Sequence, residues 1–498
     1  MHVRTVLLAI LVVLAGCGEA MPGTEATPTS DATPTSNTTA TATPNATPTA
    51  TTTATPTATP HPNFDDPTTD RLGWENGYWY DESLSVNASN GLNESERTAV
   101  VARTMARVER LRGLEFESTV PVAVVDRETY LAEENVTATA WDEQVWEALL
   151  LVGENQSVES VFELLYGASV QGSYVPNEER IVLVSETRQP TIDRQTLAHE
   201  LVHALQDQHL GFDRGNRTRD ARLGYRGLVE GDAGYVEDLY ETRCEGPWSC
   251  LPRPESGAGG SLDDNMGVYV AAYHPYSDGP AFVHHLRERG GWDAVNDAYA
   301  DPPTSSTQII HPERYPDWSP ATVRIPDRSS DSWDRFDRSP PGTTVGEASL
   351  FATVWANGGT DVFHLQRPTR PHRAYNYTHD VTTGWAGDRL VPYRNETGAT
   401  GYVLRIEWAT TGDAAAFAIA YRDLLRTRRG AERRGENVLV VPAGPYADAF
   451  RVEQSGTTVT IVNAPTVAAL DSVHDEDESS STAAIERTDF SRTGPKSA

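Results

Sequence analysis

Apolar residues recur along the chain with the spacings of both helices and strands. Those between residues 94 and 112 fall three or four positions apart, as on one face of a helix, whereas residues 179–185 form a short β-branched run. The same reading predicts helices at 94–112, 141–151, 228–243, 279–289 and 413–427, and strands at 120–125, 179–185, 401–408, 438–441 and 449–462. The mixture indicates an α+β fold.

The first residues read as a targeting segment rather than as part of the fold. Arg4 precedes an apolar run from Val6 to Leu14 that is too short to span a bilayer. The run ends in Leu14-Ala15-Gly16-Cys17, which resembles the lipobox of secreted lipoproteins, so residues 1–17 are predicted to be a lipoprotein signal peptide. By that resemblance Cys17 carries the lipid; the alternative is an ordinary signal peptide, and either predicts export.

Composition divides the remainder of the chain. Residues 18–63 are nearly all Thr, Pro, Ala, Ser and Asn, which cannot build a core and indicate a disordered stalk. Residues 64–320 and 321–470 read as two globular regions, the second a small α+β unit that opens with a linker-like stretch at 324–341. An acidic tail at 471–498 is predicted to be disordered.

Charge and cysteine usage narrow the function classes. The chain carries 71 acidic and 41 basic residues, a net charge of −30, and its sole lysine is Lys496. Nucleic-acid binding needs a basic patch, so it is not expected. Such an acidic surface resembles that of proteins from salt-loving microbes. With Cys17 lipidated, the closely spaced Cys244 and Cys250 favour a small disulfide loop over a metal site.

The strongest chemical signal is His199-Glu200-x-x-His203. Residues four apart share a helix face, so both imidazoles can bind one metal ion. Glu200 can then reach a water molecule on that metal and take its proton. The residues around the motif are helix formers with an apolar stripe, which favours a buried active-site helix.

A catalytic zinc site usually has three protein ligands, and two residues compete for the third place. His209 has the spacing of the metzincin pattern, but Gln206 stands where that pattern has a turning glycine. If the helix continues, His209 lies about 240° around it from the face of His203. Glu230, near the start of the next predicted helix, is favoured; Glu237 and Asp238 stay as weaker alternatives.

With these residues the chain resembles a gluzincin-type zinc metallopeptidase, in particular surface lipoproteins of haloarchaea that carry such a domain. The resemblance spans residues 170–465 and is carried by segments 199–208, 228–233, 290–296, 302–306, 310–315 and 384–388. It implies a zincin-like peptidase domain over 64–320, with Zn²⁺ held by His199, His203 and Glu230 and with Glu200 as general base.

The pattern is not matched throughout. Asp207 matches the acidic residue that follows the second histidine, but Gly234 stands where thermolysin-type sequences place an aspartate that orients a ligand histidine. Asp232 is one substitute for that role. Met266 is weak support for a metzincin turn, and residues 384–389 are read as a turn with a packed Trp.

Two further sets of residues are candidate substrate contacts. Residues 172–181 precede the motif, where an edge strand would pair with an extended peptide, although an ordinary hairpin fits equally well. Tyr276 and His311 are candidate donors to the oxyanion of peptide hydrolysis, each with a structural role as the alternative.

Together these features predict a cell-surface zinc peptidase that acts on a peptide or protein substrate and meets the membrane through its lipid anchor only. The alternative is a non-catalytic adhesion or envelope-binding lipoprotein that retains the zincin fold. The intact Glu200 favours the enzyme, because a purely structural metal site does not need it.

Overall fold

The computed structural model describes residues 66–87, 91–133, 136–185, 191–212, 215, 217–253 and 265–475, together with a two-residue strand at Leu14–Ala15. Cys17, the predicted stalk and the tail beyond residue 475 lie outside the described residues. Within these ranges no helix combines the length and the apolar character needed to cross a membrane.

Helices and strands are interspersed along the chain, which confirms the α+β class. The helices are α1 (Glu94–Arg112), α2 (Arg127–Glu133), α3 (Ala140–Ala148), α4 (Val158–Ser169), α5 (Arg194–His209), α6 (Arg219–Cys244), α7 (Met266–Ala300), α8 (Ser306–Ile310), α9 (Gly346–Ala356), α10 (Thr411–Arg428) and α11 (Val467–Val473). The strands are β1 (Leu14–Ala15), β2 (Trp74–Glu75), β3 (Tyr78–Trp79), β4 (Val122–Asp126), β5 (Val170–Val175), β6 (Arg180–Ser185), β7 (Trp333–Arg335), β8 (Trp385–Asn395), β9 (Thr400–Trp408), β10 (Glu432–Arg433), β11 (Val438–Val440), β12 (Ala449–Ser455) and β13 (Thr458–Ala464).

The N-terminal part combines helices with a small mixed sheet of order β1-β5-β6-β4. Strand β6 runs antiparallel to β5 and parallel to β4, and β1 pairs in parallel with the outer edge of β5. Helix α5 lies between this sheet and α1 and α6. Its apolar residues, among them Leu197, Leu201 and Leu205, are fully buried with Met105 and Val108 of α1. The HExxH segment therefore sits in a rigid core.

The C-terminal part is built on a seven-stranded antiparallel sheet of order β10-β11-β12-β13-β9-β8-β7. Alternate residues of its central strands face opposite sides, as a pleated sheet requires. Leu404 and Ile461 pack on the side of α10, whereas Val403 and Val462 pack on the side of α11. The first of these cores continues into α7 and α9, so the regions on either side of residue 320 share buried apolar contacts.

Two helices are longer than their sequence patterns predict. Helix α6 begins at Arg219, not near residue 228, with Thr218 as its N-cap. Its internal glycines are poor helix formers that hide the pattern, and packing overrides that propensity. Helix α7 begins at Met266 and contains Pro275 and Pro280, which lack the backbone donor a helix interior uses.

The predicted end of the helix at residue 289 is partly right. Gly290 and Gly291 have non-helical backbone angles, and Gly291 lies at φ 69°, where glycine is favoured. The chain nevertheless resumes a helical course to Ala300 beyond this kink. Met266 is the first residue of α7, so it lies in a helix and does not form the metzincin turn for which the sequence offered it.

Three predictions for the C-terminal part need correction. The turn predicted at 384–389 is wrong, because Trp385 begins β8, whose Gly387, Asp388 and Pro392 disguise a strand; the packed Trp is confirmed, since Trp385 is buried. The predicted linker at 324–341 contains β7, which pairs with the end of β8. The predicted tail begins too early, because residues 471–473 belong to α11, where Val473 is fully buried.

Candidate metal centre

Helix α5 carries the histidine motif and is anchored at its first turn. Asp193 caps the helix by accepting hydrogen bonds from the backbone N–H groups of Gln195 and Thr196, at 2.9 and 3.0 Å. The side chains of His199, Glu200 and His203 are all buried. The imidazole rings of the two histidines lie 4.9 Å apart, on one face of the helix, as the four-residue spacing predicts.

Helix α6 brings Glu230 to the same place. The glutamate lies in the middle of this helix, not at its N-terminus, and is 1 % exposed. Its neighbour Gly231 faces α7, where an added Cβ would lie 2.4 Å from the carbonyl carbon of Gly279. Two glycines thus let α6 and α7 touch through their backbones, which sets the position of Glu230.

The three predicted ligands converge. Glu230 Oε2 lies 3.4 Å from His199 Nε2 and 3.3 Å from His203 Nε2. One donor atom from each residue lies within 4.8 Å of the other two, and all three residues are buried. Two imidazole nitrogens and one carboxylate oxygen form a donor set that zinc accepts, with a fourth position left for water or substrate. The residues present therefore fit a zinc ion.

These groups form a hydrogen-bonded cluster. Burial lowers the pKa of His199, but hydrogen bonds to Glu230 and Glu237 outweigh it and raise that pKa to about 9. Burial raises the pKa of Glu230, but hydrogen bonds from His199 and His203 outweigh it and hold that pKa well below its usual range. The site thus stabilises an ionised carboxylate, the form that binds a metal.

Glu200 differs from the other three. Its side chain is fully buried; no other side chain within the described residues hydrogen-bonds its carboxylate, which faces the backbone N–H of Tyr174 on β5. Burial raises its pKa to about 7, although the charges of His203 and His199 act in the opposite direction. An added Cβ on Gly172 of β5 would lie 3.3 Å from Glu200 Cγ, so the strand covers this carboxylate. A carboxylate with a pKa near neutrality is suited to proton transfer.

Each histidine is oriented by a second polar side chain. His199 Nδ1 lies 3.1 Å from Glu237 Oε2, and His203 Nδ1 lies 2.8 Å from Gln206 Oε1. Such contacts fix the ring orientation of metal-binding histidines. The sequence analysis missed the orienting role of both: it weighed Glu237 only as an alternative third ligand, and it did not use the one-turn spacing from His203 to Gln206.

Asp232 is the predicted substitute for the missing orienting aspartate, and the hydrogen bonds of its carboxylate lead to Arg112, Tyr299 and Gln206. Its carboxylate binds the Arg112 guanidinium, with Nε at 2.8 Å, and accepts a hydrogen bond from Tyr299. It reaches His203 through Gln206, whose Nε2 lies 3.4 Å from Asp232 Oδ2. Asp232 therefore supports the orienting residue.

A cavity of about 370 Å³ opens beside the cluster and is lined by His199 and Glu230. The predicted oxyanion donor Tyr276 also lines it, and its hydroxyl donates to Glu230 Oε1 at 2.9 Å. Arg226 Nη2 donates to the same carboxylate oxygen at 3.2 Å. The further lining residues are Gln195, Gly234, Glu237, Asp238, Arg253, Tyr273, Pro280, His372, Arg373 and Ala374. His372, which hydrogen-bonds Asp238 at 2.8 Å, comes from a loop that gave no sequence signal.

Other candidates lie elsewhere. Helix α5 continues through residue 209, and His209 Nε2 contacts the backbone oxygen of Glu115 instead of the cluster. His311 lies 3.0 Å from Glu347 Oε1 on α9 and is not among the residues that line the cavity. Its candidacy as an oxyanion donor therefore has no support from its position.

The structure also locates the predicted acidic residue after the motif, the strand before it and the disulfide loop. Asp207 accepts a 2.8 Å hydrogen bond from the Tyr174 hydroxyl, which ties α5 to β5. Strand β5 itself lies along the helix that carries the histidines and pairs with β6 at residues 172–175. Cys244 and Cys250 are joined in a disulfide at the end of α6.

The comparisons with known proteins cover the C-terminal part. Residues 334–474 match the model of a family described as a domain of unknown function (DUF8575). The match includes β8 to β13 and excludes all three of the converging residues. No curated protein and no solved structure matches the chain.

Proposed function

We propose that this protein is a zinc-dependent peptidase of gluzincin type with a zincin-like catalytic region. The observation that carries the proposal is the convergence of His199, His203 and Glu230 beside the buried carboxylate of Glu200, which no other side chain hydrogen-bonds within the described residues. A structural metal site has no use for that fourth residue, because an isolated buried carboxylate costs free energy. The adjoining cavity supplies room for a substrate segment next to the ligands.

The chain's own residues account for the steps of peptide hydrolysis. A zinc ion held here would polarise the scissile carbonyl and make a water molecule more acidic. Glu200 takes the proton from that water and delivers it to the departing amine. The Tyr276 hydroxyl, already beside Glu230, donates to the oxygen on which negative charge develops. Gln206 and Glu237 hold the two imidazoles in place.

We place this activity at the cell surface on sequence grounds. The lipobox-like segment ending at Cys17 and the Thr/Pro-rich stalk would tether the enzyme outside the cell. In this proposal its substrate is a peptide or protein, and its contact with the membrane is the lipid anchor alone.

The experiment is a pair of variants assayed on unfolded protein substrates with zinc content measured in parallel. Glu200→Gln should retain zinc and lose at least about a hundredfold in kcat, the scale of general-base catalysis. Asp207→Asn, on the same helix but bonded to Tyr174, is the matched control and should keep most of the activity. If the parent binds zinc yet cleaves nothing, the non-catalytic surface lipoprotein is the better account.

A further inference from the structure

A second polar cluster lies where the N-terminal part meets the segment that matches the domain of unknown function. Glu147 is on α3, Glu154 is in the turn that follows, and Asp448 immediately precedes β12. One carboxylate oxygen from each lies within 4.8 Å of the other two. Glu147 and Asp448 are buried and Glu154 is exposed. Residues far apart in sequence thus bring three acidic groups to one point.

Glu147 and Asp448 hydrogen-bond each other, and the other side chains that hydrogen-bond the cluster within the described residues are uncharged amides. Gln144 Nε2 donates to Glu147 Oε2 at 2.7 Å, and Asn463 Nδ2 donates to Asp448 Oδ2 at 2.9 Å. The nearby cation Arg429 is directed elsewhere: it donates to the Leu150 carbonyl and stacks over the Tyr446 ring at 4.1 Å. Carboxylates this close repel one another strongly when ionised, because the buried setting screens them poorly.

An independent observation concerns the amide of Asn463 on β13. Its nitrogen binds Asp448, but its Oδ1 is buried and has no hydrogen-bond partner within the described residues. The residue is 0 % exposed. A buried oxygen without a partner destabilises the folded state, so such an atom in a native core indicates a group that completes it. A water O–H or a cation can complete an amide oxygen, and the adjacent acidic groups favour the cation.

We propose that Glu147, Glu154, Asp448 and the Asn463 amide oxygen bind a hard divalent cation of the Ca²⁺ class. The donors are all oxygen, and carboxylates with an amide carbonyl are the ligands that Ca²⁺ prefers, whereas zinc prefers imidazole and thiolate. The exposed Glu154 gives the ion a route from solvent and leaves room for water ligands. The ion joins α3 and its following turn to β12 and β13, and so clamps the two parts of the fold.

The test uses the folded exported chain with its zinc retained, at high KCl so that weak binding to the acidic surface is screened. Tb³⁺ replaces Ca²⁺ and is excited through nearby aromatic rings such as Tyr402, which lies opposite Asn463 on β9. The parent should show saturable Tb³⁺ emission that Ca²⁺ displaces, and Ca²⁺ should raise its Tm. Two variants remove a ligand: Glu154→Gln, at an exposed position that does not threaten folding, and Asp448→Asn. Each should weaken the affinity for Tb³⁺ at least about tenfold and reduce the Ca²⁺-dependent rise in Tm.

Two controls separate this site from the zinc site and from the surface. Glu159→Gln changes an exposed acid on α4 outside the cluster and should behave like the parent. His203→Ala should lose zinc and keep the Tb³⁺ signal. The proposal is overturned if the parent shows no saturable emission, as expected for acids that merely share a proton. It is equally overturned if the Ca²⁺-dependent rise in Tm is the same in Glu154→Gln as in the parent.

Discussion

Gln206 Oε1 lies 2.8 Å from His203 Nδ1, one turn further along the same helix. The amide is held in turn by the Val229 carbonyl, to which its Nε2 donates at 2.9 Å. Gln206 therefore links the second histidine to the helix that carries Glu230. The residue that disfavours a metzincin turn is also the residue that orients His203.

Removing this contact should weaken metal binding without unfolding the chain. Gln206→Ala frees the His203 ring to rotate, and we expect zinc affinity to fall about 10–100-fold, as for other outer-shell partners. Competition with a chromophoric chelator measures the change. Gln208→Ala, on the same helix but bonded to Ser118 and the Glu117 backbone, is the control. Equal affinities in the two variants would contradict the orienting role.

The close contact between α6 and α7 gives a second prediction. In Gly231→Ala the new Cβ would lie 2.4 Å from the Gly279 carbonyl carbon, so the helices must separate. We expect a loss of about 1–3 kcal/mol in the free energy of unfolding, with weaker zinc binding because Glu230 moves. Gly412→Ala, whose Cβ would meet its nearest atom at 3.5 Å, should be close to neutral. Urea unfolding of both variants checks this, and equal stabilities would contradict the packing argument.

The hydroxyl of Tyr276 gives a third prediction, which depends on the proposed function. Tyr276→Phe removes the donor beside Glu230 while the ring remains, so kcat should fall about 10–100-fold with zinc retained. Tyr273 also lines the cavity and stacks on Tyr276 at 5.6 Å between ring centroids, so Tyr273→Phe is the control. A Tyr276→Phe enzyme with unchanged kcat would assign the hydroxyl a purely structural role.

A buried acid pair in the N-terminal part predicts how stability changes with pH. Burial, reinforced by the charge of Glu109, raises the pKa of Glu75 to about 9. Glu109 accepts backbone hydrogen bonds from Gly73 and Phe116, at 2.7 and 2.8 Å, so the proton resides on Glu75. The folded chain keeps this proton above pH 4.5, whereas the unfolded chain releases it. The free energy of unfolding should therefore fall as pH rises from about 5 to about 9.

Glu75→Gln removes that proton linkage. Relative to the parent, the variant should gain stability as pH rises, by up to about 1.4 kcal/mol per pH unit. Urea unfolding at pH 6 and pH 9 measures the difference, and Glu117→Gln, at an exposed position, is the control. Parallel stability curves for Glu75→Gln and the parent would exclude the shared proton.

The helical spacing of the motif was sufficient to predict that His199 and His203 lie together on one helix face, because that spacing is local. The position of Glu230 was predictable only by pairing it with the motif, and its place in mid-helix was hidden by Gly227 and Gly231. Those glycines look like helix breakers, but in the fold they allow close packing against Ile309 and Gly279. Local propensity does not show such tertiary contacts.

Contacts between segments far apart in the chain could not be predicted from the local sequence pattern. His372 reaches the cavity from a loop more than a hundred residues after α6, and nothing in its local pattern marks it. The same holds for Asp448, which meets Glu147 only after the C-terminal sheet has formed. Strand β8 was missed for another reason: its Gly, Asp and Pro residues disfavour strands individually, and pairing with β9 outweighs them.

The central claim is that His199, His203 and Glu230 bind one zinc ion, and metal analysis of two variants tests it most directly. Purified parent protein and His209→Ala should each contain about one zinc per chain, because His209 contacts the Glu115 backbone and not the cluster. Glu230→Ala should contain much less zinc while remaining folded by circular dichroism. Full zinc content in Glu230→Ala together with its loss in His209→Ala would contradict the account.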